Sequence, residues 1–294
     1  MRKIIKVVTP YVFIAPHVIL FIIFFIIPTA VGIIASFHRW NIFSPMEWVG
    51  LANYRLIFEP SESIVRGQFW NGLGNTFLFV IVTVPFQIAL PLSIAVLLFL
   101  KPKGRTFFQA VFYVPTLLSV TSVTFVWLTI FNRSLGLFNN ILGVNVNWFG
   151  EQPYAWMTIV ITTLWWVIGG NMIIYIAALG GVDKEILEAG SVDGANGFKK
   201  FFLIILPAIR LPIVFTVVTS VISQFNIYGQ PLMLTAGGPS ESTFVLLMYI
   251  RNLAFGTGNP LAGPASAMAT VLGLLIGVIS VGQLIVVRKA GGDD

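Results

Sequence analysis

Six long apolar runs, separated by short polar stretches, make up most of the chain: Tyr11–Phe37, Asn75–Leu100, Phe107–Phe131, Tyr154–Leu179, Ile209–Tyr228 and Ala265–Val287. A hydrocarbon core of ~30 Å takes about 20 helical residues to cross, and each run reaches that length. Backbone groups in lipid must bond within their own segment, so the runs predict helices. The expected fold is therefore all-α: a polytopic membrane protein of about six transmembrane helices. Residues 1–74 form the first helix and a following loop, 75–288 the main transmembrane domain, and 289–294 a tail. The first run follows Arg2, Lys3 and Lys6 but is too long for the apolar part of a signal peptide, so it reads as an uncleaved span.

Composition agrees with this pattern. Only 10% of residues are charged where soluble domains carry about a quarter. The net charge of +6 does not point to nucleic acid, because the basic residues cluster beside the apolar runs. Twelve of the 17 Lys and Arg lie in one set of connecting segments: Arg2, Lys3, Lys6, Lys101, Lys103, Arg105, Lys184, Lys199, Lys200, Arg210, Arg288 and Lys289. Arg39, Arg55, Arg66, Arg133 and Arg251 lie in the other set. By the positive-inside rule both termini are then cytoplasmic. Two sizeable external loops are expected, at 38–74 and 229–264. Trp40, Trp48, Trp70, Trp148 and Trp156 fall near the external span ends, where an interfacial aromatic belt would stand.

With no cysteine and two isolated histidines, the chain offers no thiol nucleophile, thiolate metal site or histidine cluster. No carboxylate lies inside an apolar run, and Arg210 is the only basic residue within one, near its end. Charges at mid-membrane cost about 2.5–3.5 kcal/mol and persist where they work, so their absence counts against proton- or ion-coupled carriers. No catalytic or metal-binding residue is identified. The spans contain uncharged polarity instead. Ser220 and Gln224, four apart on one helical face, are the leading candidates for a solute path, with Thr163, Asn171 and Gln283 at other depths. The competing reading of each is a hydrogen bond between helices.

One polar segment is neither short nor bland. Gly180 and Gly181 are expected to end the fourth span through the left-handed conformation glycine accepts. Asp183 can cap a new helix, with Glu185 in its first turn. Gly190 and Gly194 allow a break, and a second helix through Phe198–Phe202 leads to Pro207 and back into the membrane. A helix–turn–helix over about 180–207 results, exposing Glu188 and Asp193.

Glu188, Ala189 and Gly190, then Gly194, then Ile204, Leu206 and Pro207 resemble the Glu-Ala-Ala…Gly…Ile-x-Leu-Pro signature of ABC importer permeases, with glycine in place of the third-position alanine. Trp48-Val-Gly-Leu-Ala-Asn-Tyr54, Gly104-Arg105 with Phe112-Tyr-Val-Pro115, and Leu234-Thr-Ala-Gly-Gly-Pro239 with Thr243 are similar to segments of the maltose/glycerol-phosphate branch of that family. The resemblance implies a type I importer permease in a prokaryotic inner (cytoplasmic) membrane, importing an oligosaccharide or glycoside. Implied partners are a second, different permease, two copies of a cytoplasmic ABC ATPase and an extracellular solute-binding protein. ATP would be bound by the partners, since no Gly-x4-Gly-Lys-[Ser/Thr] loop is present. Glu188, Ala189, Gly190, Asp193, Gly194 and Pro207 would couple to the ATPase. Rival readings are an ion-coupled secondary carrier, a membrane enzyme, and an ABC permease for another solute such as glycerol 3-phosphate.

Overall fold

The structure is a computed structural model that describes residues 2–60, 62–257 and 260–291, with side chains for 11–60, 62–257 and 260–285. Beyond residue 291, the tail expected at 289–294 lies outside the described residues, as do the side chains of Arg2, Lys3, Lys6, Arg288 and Lys289. Four helices are long and apolar enough to cross a membrane, and two bent pairs raise the number to six if each pair is one span.

Labelled in chain order, α1 (Tyr11–Ala35) is the apolar part of a helix beginning at Arg2. A short hairpin of β1 (His38–Arg39) and β2 (Glu47–Trp48) follows, then α2 (Ala52–Phe58) and α3 (Ile64–Phe99). Next come α4 (Arg105–Leu117), α5 (Val120–Ile130), α6 (Leu137–Leu142) and α7 (Tyr154–Gly180). The chain continues through α8 (Lys184–Val192), α9 (Gly197–Ala208), α10 (Arg210–Phe225) and α11 (Gly229–Thr235). It closes with α12 (Leu246–Phe255) and α13 (Ala262–Gly291).

By contact density the chain divides into two units: residues up to Trp70 with Tyr249–Leu275, and Asn71–Met248 with the chain from Ile276. In the first unit, buried Asn53 donates to the carbonyls of Ser36 (2.8 Å) and His38 (2.9 Å), pinning the end of α1 to α2. The Tyr54 and Ser36 hydroxyls bond at 2.6 Å. Thus the Trp48–Tyr54 segment is a structural clasp as well as a family mark. The start of α13 joins the same place, with the Gly263 amide donating to the Trp40 carbonyl at 3.1 Å.

The second unit holds two cores. One gathers Phe79, Trp127, Phe131, Trp148 and Ile159; the other gathers Leu92, Leu98, Tyr175, Leu179, Ile205 and Ile209. Trp148 is therefore a core residue, 7% exposed, tilted against Phe131 and edge-on to Tyr154, not the belt residue expected. The expected loops are also largely helical: α3 begins eleven residues before the run that predicted it, and α11 and α12 fill much of 229–264.

One of the six expected spans is broken, and a second bend falls at the start of another, where the sequence predicts a turn at Pro207. The run 107–131 bends by 106° between α4 and α5. Ser119 caps α5 by accepting from the Ser122 amide (3.2 Å), and Trp166 Nε1 on α7 donates to the freed Leu118 carbonyl (3.0 Å). The second break, of 71°, falls at Ile209 between α9 and α10, just after Pro207 and before Pro212. Breaks of this kind are tolerated where neighbouring side chains recover the orphaned backbone groups.

Candidate functional site

The expected helix–turn–helix is present in the second unit. Asp183 Oδ1 accepts from the Glu185 amide at 2.9 Å, a cap that contributes about 1 kcal/mol to a short helix. Asn196 does the same for α9, accepting from the Lys199 amide at 2.9 Å. Gly194 makes the turn at a φ of +76°, which costs a glycine nothing. Two expectations fail in detail. α7 does end at Gly180, but Gly181 has a φ of −88°, so no left-handed residue stops it. Gly190 lies inside α8 and makes no break. Its role is close approach: a Cβ there would stand 2.6 Å from Ile204 Cδ1.

Leu187 anchors α8 on the core around Tyr175, Leu179, Ile205 and Ile209. Lys200 Nζ donates to Ser191 Oγ, whose hydroxyl in turn donates to the Leu187 carbonyl. α8 and α9 thus form one tied elbow. Glu188, Ala189 and Asp193 stay exposed on it, beside exposed Ile186 and Val192. Pro207 is exposed on the last turn of α9, two residues before the bend into α10.

Along α10, Thr216, Ser220 and Gln224 share one buried face. Asn171 on α7 donates through Nδ2 to the Gln87 carbonyl (3.0 Å) and to Ser220 Oγ (3.3 Å). Gln224 Nε2 donates to Gln87 Oε1 at 3.0 Å, and the Tyr175 and Thr216 hydroxyls bond one turn further along. Ser220 and Asn171 are thereby committed to a polar ladder joining α3, α7 and α10, the interhelical reading of these residues.

Gln224 has a second role. With Thr163, Trp166, Tyr228 and Gln230 it lines a cavity of about 290 Å³, at the small end of ligand pockets. No charged side chain lines this cavity. Thr163 spends its hydroxyl on the Ile159 carbonyl (2.8 Å), while the Gln230 amide is among the polar groups that face the cavity, with those of Ser223, Asn226 and Tyr228 beside it. Gln230 is 7% exposed, and its side chain makes no hydrogen bond among the described residues. Sequence reading missed it, since it falls two residues beyond the fifth predicted span, in a stretch taken for loop. Gln283 is not drawn into the ladder or the cavity; its buried Oε1 has no partner among the described residues.

The segment after the cavity is tied internally. Buried Thr243 donates to the Gly238 carbonyl (2.8 Å) and meets the Thr235 hydroxyl (2.7 Å), while Asn75 Nδ2 donates to the carbonyls of Glu241 and Phe244 (3.0 Å each). Among the described residues no group of three or more His, Asp and Glu could hold a metal ion.

The chain belongs to the family of binding-protein-dependent transport system inner membrane components, whose sequence profile matches residues 64–291. It is similar to the probable ABC transporter permease protein YesP of Bacillus subtilis, 32% identical over 92% of this chain and 87% of that one. It is also similar to the probable starch degradation products transport system permease protein AmyD of Thermoanaerobacterium thermosulfurigenes, 30% identical over 95% and 94% of the two chains. A chain of the bacterial alginate ABC transporter, solved in complex with an alginate pentasaccharide-bound periplasmic protein, matches the fold with a TM-score of 0.84. That match covers 98% of this chain and 97% of that one at 22% identity.

Proposed function

We propose that this permease passes an uncharged sugar, an oligosaccharide or glycoside, into a prokaryotic cytoplasm by alternating access. In this reading it pairs with a second, different permease, is moved by two copies of an ABC ATPase, and receives its solute from an extracellular binding protein. Both termini and the α8–α9 elbow face the cytoplasm. The supporting observation is one line of contacts: exposed Glu188 on α8, the Ser191–Lys200 tie to α9, and α10 carrying Gln224 to the cavity wall. A rigid displacement of the elbow would be felt where solute passes. Glu188 suits a joint because a carboxylate pairs with a basic side chain in fixed register.

Amide groups beside the rings of Trp166 and Tyr228 suit a neutral, hydroxyl-rich ring. An ionised solute would enter a wall without a counter-charge, which disfavours glycerol 3-phosphate despite its transport by the related UgpA of Agrobacterium fabrum. Purification in mild detergent should recover an ATPase and a second permease with this chain; ion-driven uptake by the chain alone would overturn the assignment. Gln230 gives the sharper test, because its side chain makes no hydrogen bond among the described residues and leucine has nearly its volume. Gln230→Leu should leave complex yield and melting unchanged and raise the KM for uptake roughly tenfold, one hydrogen bond's worth. Wild-type uptake kinetics in that variant would remove the cavity from the path.

A further inference from the structure

The segment between α5 and α7 is held together by its own polar groups. Asn139 is buried, and the exposed Asn132, Arg133 and Asn145 and half-buried Asn147 bond within the segment. Asn139, 5% exposed, donates to the carbonyls of Arg133 and Val146 (2.9 Å each) and accepts from Trp148 Nε1 (2.7 Å). Asn132 Oδ1 accepts from the amides of Ser134 (2.9 Å) and Leu135 (3.0 Å), and Asn147 Oδ1 from Gly150 (3.2 Å). Arg133 Nε donates to Asn145 Oδ1 at 2.9 Å. Phe138, Val146, Trp148 and Phe149 pack on the core, whereas five aliphatic side chains turn outward: Leu135 is 85% exposed, Leu137 55%, Ile141 72%, Leu142 57% and Val144 41%. No charged residue occurs from Ser134 to Gly150.

We propose that this face, carried by α6, is seated in the lipid of the leaflet where α5 ends and α7 begins. Two arguments select lipid over water or protein. The chain leaves one span at Phe131 and enters the next at Tyr154, so the segment lies at the membrane boundary. Irregular backbone tolerates that position where its polar groups find internal partners, and three asparagines supply such partners to the amides of Ser134, Leu135 and Gly150 and the carbonyls of Arg133 and Val146. The outward leucines and isoleucine continue the exposed apolar surface of the same spans, at Phe125 and Met157. A patch of this kind on a water-facing loop would be an aggregation hazard, whereas at the boundary it anchors an amphipathic element. The segment would hold the α5–α7 connection at fixed depth while other helices move. The inference requires that the α4–α5 pair and α7 cross the membrane; it does not require that a sugar passes.

The chain has no cysteine, so a single one can be placed and labelled. Ile141→Cys, carrying a small environment-sensitive fluorophore, would be assembled with cysteine-free partner subunits in vesicles of brominated phosphatidylcholine. The expected result is loss of most emission to the brominated chains and little loss to aqueous iodide. Quenching by iodide, or protection from iodide only when the loaded binding protein is added, would overturn the proposal in favour of a water-facing or receptor-facing surface. Insensitivity to both quenchers would overturn it in favour of the second permease. Leu137→Cys, one turn away on the same face, gives the same reading should the first variant fail to assemble.

Discussion

Lysine in place of Glu188 is expected to abolish solute uptake while the complex still inserts in the membrane. The local structure makes this a clean substitution. The elbow is capped by Asp183 and Asn196, anchored by Leu187 and tied by Ser191 and Lys200; Glu188 takes part in none of these contacts. Reversal of its charge therefore leaves α8 folded and alters only what meets its exposed side. On the proposed reading that partner presents a basic group, and breaking a desolvated charge pair costs about 2–5 kcal/mol. At about 1.4 kcal/mol per tenfold, the docking equilibrium would weaken roughly 30-fold to a few thousand-fold. ATP hydrolysis should then no longer respond to the loaded binding protein. The measurement is paired uptake and hydrolysis in proteoliposomes containing the complex, with Glu188→Gln as an intermediate case. Uptake at the wild-type rate by Glu188→Lys would separate α8 from the motor.

What could be read from the chain, and what could not, follows the range of the interactions involved. Apolar length is a local property, and it located four spans outright and the two bent pairs that bring the number to six if each is one span. The Asp183 cap is equally local, its acceptor and donor lying two residues apart. The break between α4 and α5 depends on Trp166, 48 positions beyond the carbonyl it captures, and no periodicity announces such a bond. Spacing placed Ser220 and Gln224 on one face, but Gln87 and Asn171 became their partners through the packing of α3 and α7 against α10. Position near a span end suggested a belt role for Trp148; its indole instead found Asn139 nine residues away and was drawn into the core. Gln230 carried one weak signal, an uncharged amide in a short stretch of small and apolar residues, which gains meaning only beside Trp166 and Gln224. The elbow was legible because its chemistry is local and its spacing matched a family signature.

Gly169 and Gly170 are neighbours in α7, yet alanine should act on them in opposite directions. At Gly169 an added Cβ would lie 2.5 Å from the Phe112 carbonyl oxygen, 2.6 Å from Tyr113 Cα and 2.9 Å from Thr116 Oγ1. Two of those neighbours are backbone of α4 and cannot turn aside. They belong to the bend itself, where Thr116 Oγ1 donates to the Trp166 carbonyl at 3.0 Å. Relief requires α4 to move off α7, and forced overpacking of this kind costs about 1–3 kcal/mol, occasionally more. At Gly170 the nearest contact would be Thr116 Cγ2 at 3.9 Å, ordinary packing distance. There alanine gains up to about 1 kcal/mol of helix propensity without a clash. Gly169→Ala should lower the melting temperature of the detergent-purified complex and, because Trp166 lines the cavity, reduce uptake; Gly170→Ala should match or exceed the parent in stability. Equal melting of the two variants would mean that α4 does not press on α7 at Gly169, and the bent span would then need another support.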